Sequence, residues 1–232
     1  MLFCRFARYI DKKMDVYYNN KELSAQERMD FCAMADDTIY SFSESIDGVH
    51  EIAENIALSK SEGFKRIMSE LIDVSTFISY SYCDIIVLTK LFLSATNHYE
   101  RAFLRGKLKV LLNESFKKLY GYTEKSRRNT YFFRLKELSA KFPQFTDRVS
   151  VFSTELNELS IRESWWKDER DAEVHFDIKI LYRTRHERIN ESKVVMETIP
   201  LIDIFNGLNM LMNDISKSVA KHIEIQLNER KG

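Results

Sequence analysis

Glycine and proline are scarce in this chain, which has six Gly and two Pro among its 232 residues. All-β folds need turn-forming residues at every hairpin, so this scarcity argues against them and favours long helices. Hydrophobic residues make up 44% of the chain and charged residues 30%, a balance that excludes intrinsically disordered and low-complexity proteins. The 35 basic and 35 acidic residues cancel, so the net charge indicates no class of partner.

Cysteines are also few, and they form no Cys-x-x-Cys pair; they are Cys4, Cys32 and Cys83. An odd number of scattered thiols is typical of a reducing compartment, so we expect a cytoplasmic protein. Charged residues interrupt the first 13 residues, and we therefore expect no secretory signal there. The most apolar stretch, 71–93, contains Asp73, Asp84 and Lys90, and each charge costs about 2.5–3.5 kcal/mol near a bilayer centre. This stretch indicates a buried helix, not a membrane span.

Several motifs of catalytic and cofactor sites are missing from the sequence. It has no glycine-rich phosphate loop, no His-Glu-x-x-His, no zinc-type Cys/His spacing and no Gly-x-Ser-x-Gly. A di-iron bundle needs two Glu-x-x-His helices, and the nearest match is a single Asp47-x-x-His50. We therefore expect neither a metal nor a cofactor.

Apolar residues recur at helical spacing in two long segments, 22–58 and 65–95. In the first segment the stripe consists of Cys32, Ala35, Ile39, Phe42, Ile46, Val49, Ala53 and Ile56. In the second it consists of Met68, Leu71, Val74, Ile78, Tyr82, Ile85, Leu88 and Phe92. Steps of three and four residues place each stripe on one helix face. Ser24 followed by Glu27 resembles a capping box at the start of the first helix.

Shorter helices are predicted between breaks at Gly121 and Pro143. Their ranges are 98–119, 125–141 and 146–170. A C-terminal helix is predicted over about 200–227, since Pro200 suits the first turn of a helix. Residues 176–196 allow either a strand or a continuing helix followed by a polar loop. The sequence predicts an all-α, single-domain helical bundle over 1–232, with two long antiparallel helices.

The segment 165–177 contains the residues best suited to chemistry, Arg170, Asp171 and His175. Metal-free RNA cleavage needs a group that exchanges protons near neutral pH and a cation on the phosphate, and His and Arg provide these. Asp171 lies one helical turn before His175 and could orient its imidazole. Arg170 and His175 are about 140° apart around a regular helix, so a helix end or a second chain must complete the site.

The Arg-x4-His spacing with Asp after the Arg resembles the motif of the HEPN superfamily of small helical-bundle proteins. The resemblance is confined to this motif and its helical context. It implies a metal-independent endoribonuclease that acts as a homodimer, with the two motifs facing each other across a cleft. It further implies a role as a toxin or in phage defence, with a nucleotidyltransferase-type antitoxin as partner.

Two tryptophans precede the motif, Trp165 and Trp166. They could stack on RNA bases, but an adjacent pair more often places one ring in the core and one at an interface. We favour the core and a dimer interface.

Basic residues are concentrated in one segment, 105–136, which has ten basic and two acidic side chains. Segment 20–60 has nine acidic and three basic ones. Interleaved aromatics make Lys125, Arg127 and Arg128 candidates for RNA binding. The alternative is that these charges pair within the molecule or are simply solvated.

Two functional hypotheses follow. The first is an endoribonuclease with His175 as general acid–base, Arg170 as phosphate clamp and Asp171 as orienting residue. The second is a non-catalytic bundle, either HEPN-like or unrelated, that serves as an interaction or RNA-binding module.

Overall fold

The computed structural model describes residues 23–57, 62–162, 164–175 and 177–229, of which 44–57, 64, 162, 164–169, 184 and 220–229 are described as backbone only. These residues contain no strand and form α1 (Ala25–Ala57), α2 (Glu62–Ser94), α3 (His98–Leu119), α4 (Glu124–Arg127), α5 (Tyr131–Ser139), a 3-10 helix (Pro143–Phe145), α6 (Thr146–Arg162), α7 (Ser164–His175), α8 (Ile178–His186) and α9 (Glu191–Glu229). The prediction of an all-α helical bundle is confirmed.

Local sequence signals set several helix ends. The Ser24 hydroxyl accepts a hydrogen bond from the Glu27 N–H at 3.2 Å, and the Glu27 carboxylate accepts the Ser24 N–H at 2.8 Å. This is the predicted capping box of α1. After α3, Gly121 adopts φ +75°, a left-handed conformation that ends the helix where the sequence predicted a break.

Contacts between α1 and α2 show that these helices are antiparallel. Cys32 lies 3.5 Å from Ser94, and Asp36 forms an ion pair with Lys90. As residue numbers rise along α1, they fall along α2, so the predicted antiparallel arrangement is confirmed.

The apolar stripe of α2 is buried as predicted, except that Leu88 is only half-buried and Thr89 is buried at that turn.

One of the shorter predicted helices needs correction. Segment 125–141 is divided into α4 and α5, because the Thr130 hydroxyl accepts the Phe133 N–H and caps a new helix. The helix predicted over 146–170 corresponds to α6 and the first part of α7, and Glu163 between them lies outside the described residues.

The C-terminal helix begins at Glu191, so the predicted start near Pro200 is wrong. Asn190 precedes the helix, and its side chain accepts the Lys193 N–H at 3.0 Å, as an N-cap does. Proline inside a helix costs about 3 kcal/mol. Pro200 nevertheless lies inside α9, where its neighbours Ile199 and Leu201 are buried. The strand alternative for 176–196 is also wrong, because α8 occupies that segment.

The chain divides into two compact units, and both draw residues from α1, α2, α3 and α9. The first unit comprises Met1–Tyr40, Cys83–Glu114 and Glu163–Asp203. The second comprises Ser41–Tyr82, Ser115–Arg162 and Ile204–Gly232. The assignment of 1–232 to a single domain stays a prediction.

Each unit has its own buried core. The largest fully buried side chains of the first unit are Phe92, Ile85, Leu108, Leu112 and Leu201. Those of the second are Tyr82, Phe116, Phe205, Ile78, Leu119, Leu135 and Leu156.

Two helical stretches, Lys65–Ser94 and Glu191–Val219, are long and apolar enough to cross a membrane. In the most apolar part of the first stretch 44% is buried inside the fold, and in that of the second 56% is buried. Core helices of soluble proteins have the same length and composition, so these stretches identify no compartment. The cytoplasmic location and the absence of membrane association stay predictions.

Candidate functional site

Helices α7 and α8 form a hairpin in the first unit, and His175 lies at its corner. The Asp177 N–H donates to the carbonyl of Ala172 at 3.1 Å, which closes the end of α7. The Asp177 carboxylate then accepts the N–H groups of Lys179 and Ile180 at 3.0 and 3.2 Å, which caps α8. The sequence between the helices therefore fixes a sharp corner directly after the imidazole.

Side chains of α3 hold this hairpin in place. Arg170 Nε donates to Asn113 Oδ1 at 3.0 Å, and His98 Nε2 contacts the carbonyl oxygen of Arg185 at 2.7 Å. The Arg185 guanidinium lies over the rings of Tyr99 and Phe103, 5.6 and 5.5 Å from their centroids. Both helices of the hairpin are thus anchored on α3.

Glu173 lies at the centre of these contacts, and its side chain is 7% exposed. Both of its carboxylate oxygens accept from Arg185 Nη2, at 3.1 and 3.2 Å. Lys107 Nζ lies 3.8 Å from the same carboxylate. Two cations therefore neutralise a nearly buried acid, as burial of a carboxylate requires.

Gly106 provides the space for that carboxylate. A Cβ added at this position would lie 2.2 Å from Glu173 Oε1. Any larger residue at position 106 would displace the Glu173 carboxylate from Arg185. The sequence analysis did not identify Gly106, Glu173 or Arg185 as partners.

The Arg170 guanidinium is held from two sides. Besides Asn113, it contacts Asp171, whose Oδ1 lies 2.9 Å from Nη1. The Arg170 side chain is 17% exposed, and its Nη2 has no hydrogen-bond partner among the described residues. This arginine is therefore fixed in orientation and still has one donor group to offer.

The His175 side chain is exposed and has no hydrogen bond or ion pair with the described part of the chain. The predicted contact between Asp171 and His175 is not formed, because the Asp171 carboxylate binds Arg170 instead. Since Arg170 and His175 lie five positions apart on a regular helix, about 140° separates them around its axis. One chain thus presents an anchored guanidinium and a solvent-facing imidazole on different sides of α7.

The candidate RNA-binding residues lie in the second unit, on and beside the short helix α4. Lys125 and Arg128 are exposed, whereas Arg127 is half-buried with its guanidinium 4.3 Å from the centre of the Tyr120 ring. The side chains of Trp165 and Trp166 lie outside the described residues, so their predicted roles stay predictions.

Part of the basic segment 105–136 is neutralised within the molecule. Among the described residues, its internal ion pairs include Lys107–Glu173, Lys109–Glu197, Arg134–Glu70 and Arg134–Asp73. The acids in these pairs lie outside segment 20–60. The intramolecular interpretation therefore applies at least to these three basic residues, while Lys125 and Arg128 are exposed.

Other reactive groups contribute no site of their own. Burial, with a smaller contribution from the neighbouring Asp84, raises the pKa of the Cys83 thiol to about 11. Very little nucleophilic thiolate therefore exists at neutral pH. Among the described residues, no group of three or more His, Cys, Asp or Glu side chains is placed to hold a metal ion.

Comparisons with known proteins add no family, since no family model, curated protein or solved structure matches this chain.

Proposed function

We propose that this protein is a HEPN-like, metal-independent endoribonuclease that cleaves RNA through attack of the ribose 2′-OH. The observation that carries the proposal is the exposed His175, which has no described intramolecular partner and lies five residues beyond the anchored Arg170. An unpaired imidazole can accept and donate protons near neutral pH. A guanidinium with a free Nη2 can bind a phosphate oxygen.

The geometry also supports the homodimer of this proposal. Because Arg170 and His175 lie on different sides of α7, a second chain would bring one protomer's imidazole to the other's guanidinium. Asp171 then serves as a positioning residue for Arg170, together with Asn113. By resemblance, the biological setting is a toxin or phage-defence system with a nucleotidyltransferase-type antitoxin.

Cleavage of RNA in excess EDTA tests the activity. Wild-type protein should produce fragments with 2′,3′-cyclic phosphate ends, and His175→Ala should reduce the rate by about 10²–10⁴-fold, the usual contribution of a general acid–base. His186→Ala is the matched control, because His186 is another exposed histidine of the hairpin. Expression of the wild type should arrest growth, and His175→Ala should relieve the arrest. Equal behaviour of wild type and His175→Ala in both assays would contradict the proposal.

A non-catalytic bundle is the second candidate, and the contacts of Arg170 favour it. A guanidinium held by Asn113 and Asp171 also fits a purely structural role. Arg170→Lys separates the two, because lysine keeps the charge but loses the planar fork. A catalytic clamp predicts loss of cleavage at unchanged dimer content and melting temperature. A structural role predicts a lower melting temperature and no activity in any variant.

A further inference from the structure

The second unit contains a pocket of about 220 Å³ beside α4 and α5. Its lining residues are Tyr120, Arg127, Thr130, Phe132, Phe133, Lys136 and Ser153. An apolar protein cavity of roughly 150 Å³ holds benzene, and drug-sized ligands need about 300–1,000 Å³. The pocket is therefore too small to enclose a drug-sized ligand, but it can hold one part of a small ligand while the rest of that ligand stays in solvent.

The charges that line this pocket favour an anion. Arg127 and Lys136 provide two cations, and no acidic side chain is among the residues that line it. Arg127 Nε is buried without a hydrogen-bond partner among the described residues.

The turn before the pocket is built to hold Arg127 there. Gly121 has φ +75°, and a Cβ on it would lie 2.8 Å from Ser126 Oγ, so the chain can fold back only at a glycine. Thr123 and Ser126 cap each other's backbone N–H groups around α4. The Thr130 hydroxyl donates to the Arg127 carbonyl at 2.8 Å. The guanidinium is thereby kept over the Tyr120 ring.

Aromatic rings form the other walls. Tyr120 and Phe132 pack edge to face with centroids 5.8 Å apart, and Phe133 adds a third ring. Tyr120 and Phe132 are buried, so the half-buried Phe133 is the ring placed to contact a base, and stacking on an aromatic ring is worth about 1–3 kcal/mol for any base. Ser153 adds a hydroxyl that has no hydrogen bond among the described residues.

We propose that this pocket binds a single phosphate-bearing nucleotide unit, with Arg127 and Lys136 on the phosphate and the Phe133 ring against the base. The unit can be a free mononucleotide or the 5′-phosphorylated end of an RNA, since both present the same chemistry. The inference does not depend on the ribonuclease proposal, because it concerns binding at other residues.

Calorimetric titration of the full chain with AMP, adenosine and inorganic phosphate tests the pocket. AMP should bind more tightly than either fragment, since only AMP uses the cations and the Phe133 ring together. Arg127→Met should weaken AMP binding at least tenfold. Arg128→Met is the matched control and should change it less than twofold, because Arg128 is exposed and does not line the pocket. Arg127→Lys, which keeps the charge, checks that any loss is not due to misfolding and should bind with intermediate affinity.

A pair of RNA hexamers, with and without a 5′-phosphate, distinguishes the two sources. Preference for the phosphorylated hexamer assigns the site to RNA ends, and binding of AMP alone assigns it to free nucleotides. Equal affinity for AMP and adenosine, or equal effects of Arg127→Met and Arg128→Met, would overturn the proposal. The His175→Ala protein should bind AMP as the wild type does. A negative cleavage assay would therefore not contradict the binding proposal.

Discussion

The two units differ in the interactions that their interiors contain. In the first unit, charged side chains are buried: Lys109 and Glu191 are each 2% exposed. Glu191 lies between Arg28 and Arg101, at 3.2 and 2.6 Å. In the second unit, the described ion pairs lie nearer the surface, with Arg148 and Asp214 41% and 44% exposed. Its fully buried core contains three aromatic rings, those of Tyr82, Phe116 and Phe205.

This difference indicates how precisely the helices of each unit must be positioned. Apolar packing tolerates shifts in register, whereas a buried charge needs one particular partner. In the first unit, α3 is tied to α9 by Lys109–Glu197 and to α7 by Arg170–Asn113. Such contacts fix the position of the α7–α8 hairpin and hence of His175. The unit that holds the proposed catalytic residue is the one with the more demanding polar contacts.

Breaking the Lys109–Glu197 pair should have the largest effect. Their side chains are 3% and 10% exposed, so Lys109→Met leaves a buried carboxylate without its cation. Loss of one partner of a buried pair costs about 3–5 kcal/mol. Urea unfolding should show this decrease in the free energy of unfolding.

The double variant Lys109→Met with Glu197→Leu is the control for that measurement. Removing both charges should recover most of the stability, because two apolar side chains replace a desolvated pair. If the single variant loses less than about 1 kcal/mol, as exposed pairs do, the proposed contrast between the units is wrong.

Gly106→Ala should give the next largest effect. The new methyl would lie 2.2 Å from Glu173 Oε1 and 2.9 Å from its Cγ, so the whole side chain must leave Arg185. Overpacking costs about 1–3 kcal/mol, and replacement of a helical glycine returns about 1 kcal/mol. We expect a net destabilisation and a displaced α7–α8 hairpin, visible as faster amide hydrogen exchange in α8.

Gly63→Ala is the matched control, because nothing lies within 4 Å of a Cβ added there. This variant should be stabilised by about 0.4–1 kcal/mol. Opposite signs at the two glycines would show that the Glu173 contact, not glycine as such, determines the result. Equal stabilisation at both would mean that Glu173 moves aside without cost.

The sequence predicted what depends on local periodicity and missed what depends on tertiary contacts. The stripe of α2 and the capping box of α1 follow from residues three and four apart, and both were predicted. The prediction began the C-terminal helix near Pro200 and made no use of Asn190, whose side chain caps the start of α9. The pairing of Glu173 with Arg185 required knowledge of how α7 and α8 fold back on each other, which no periodicity provides. Gly106, a lone glycine within a helical pattern, was the one available sign of close packing.

The smallest effect is expected at the exposed pair of the second unit. Arg148 Nη1 lies 2.6 Å from Asp214 Oδ2, a shorter distance than the 3.1 Å between Arg185 and Glu173. Solvent nevertheless screens this pair, and exposed ion pairs contribute about 0–1 kcal/mol. Arg148→Met should therefore change the free energy of unfolding by less than about 1 kcal/mol, and 1 M NaCl should abolish most of that change. A loss as large as that of Lys109→Met would show that separation of the charged atoms, and not burial, governs the energy of ion pairs in this protein.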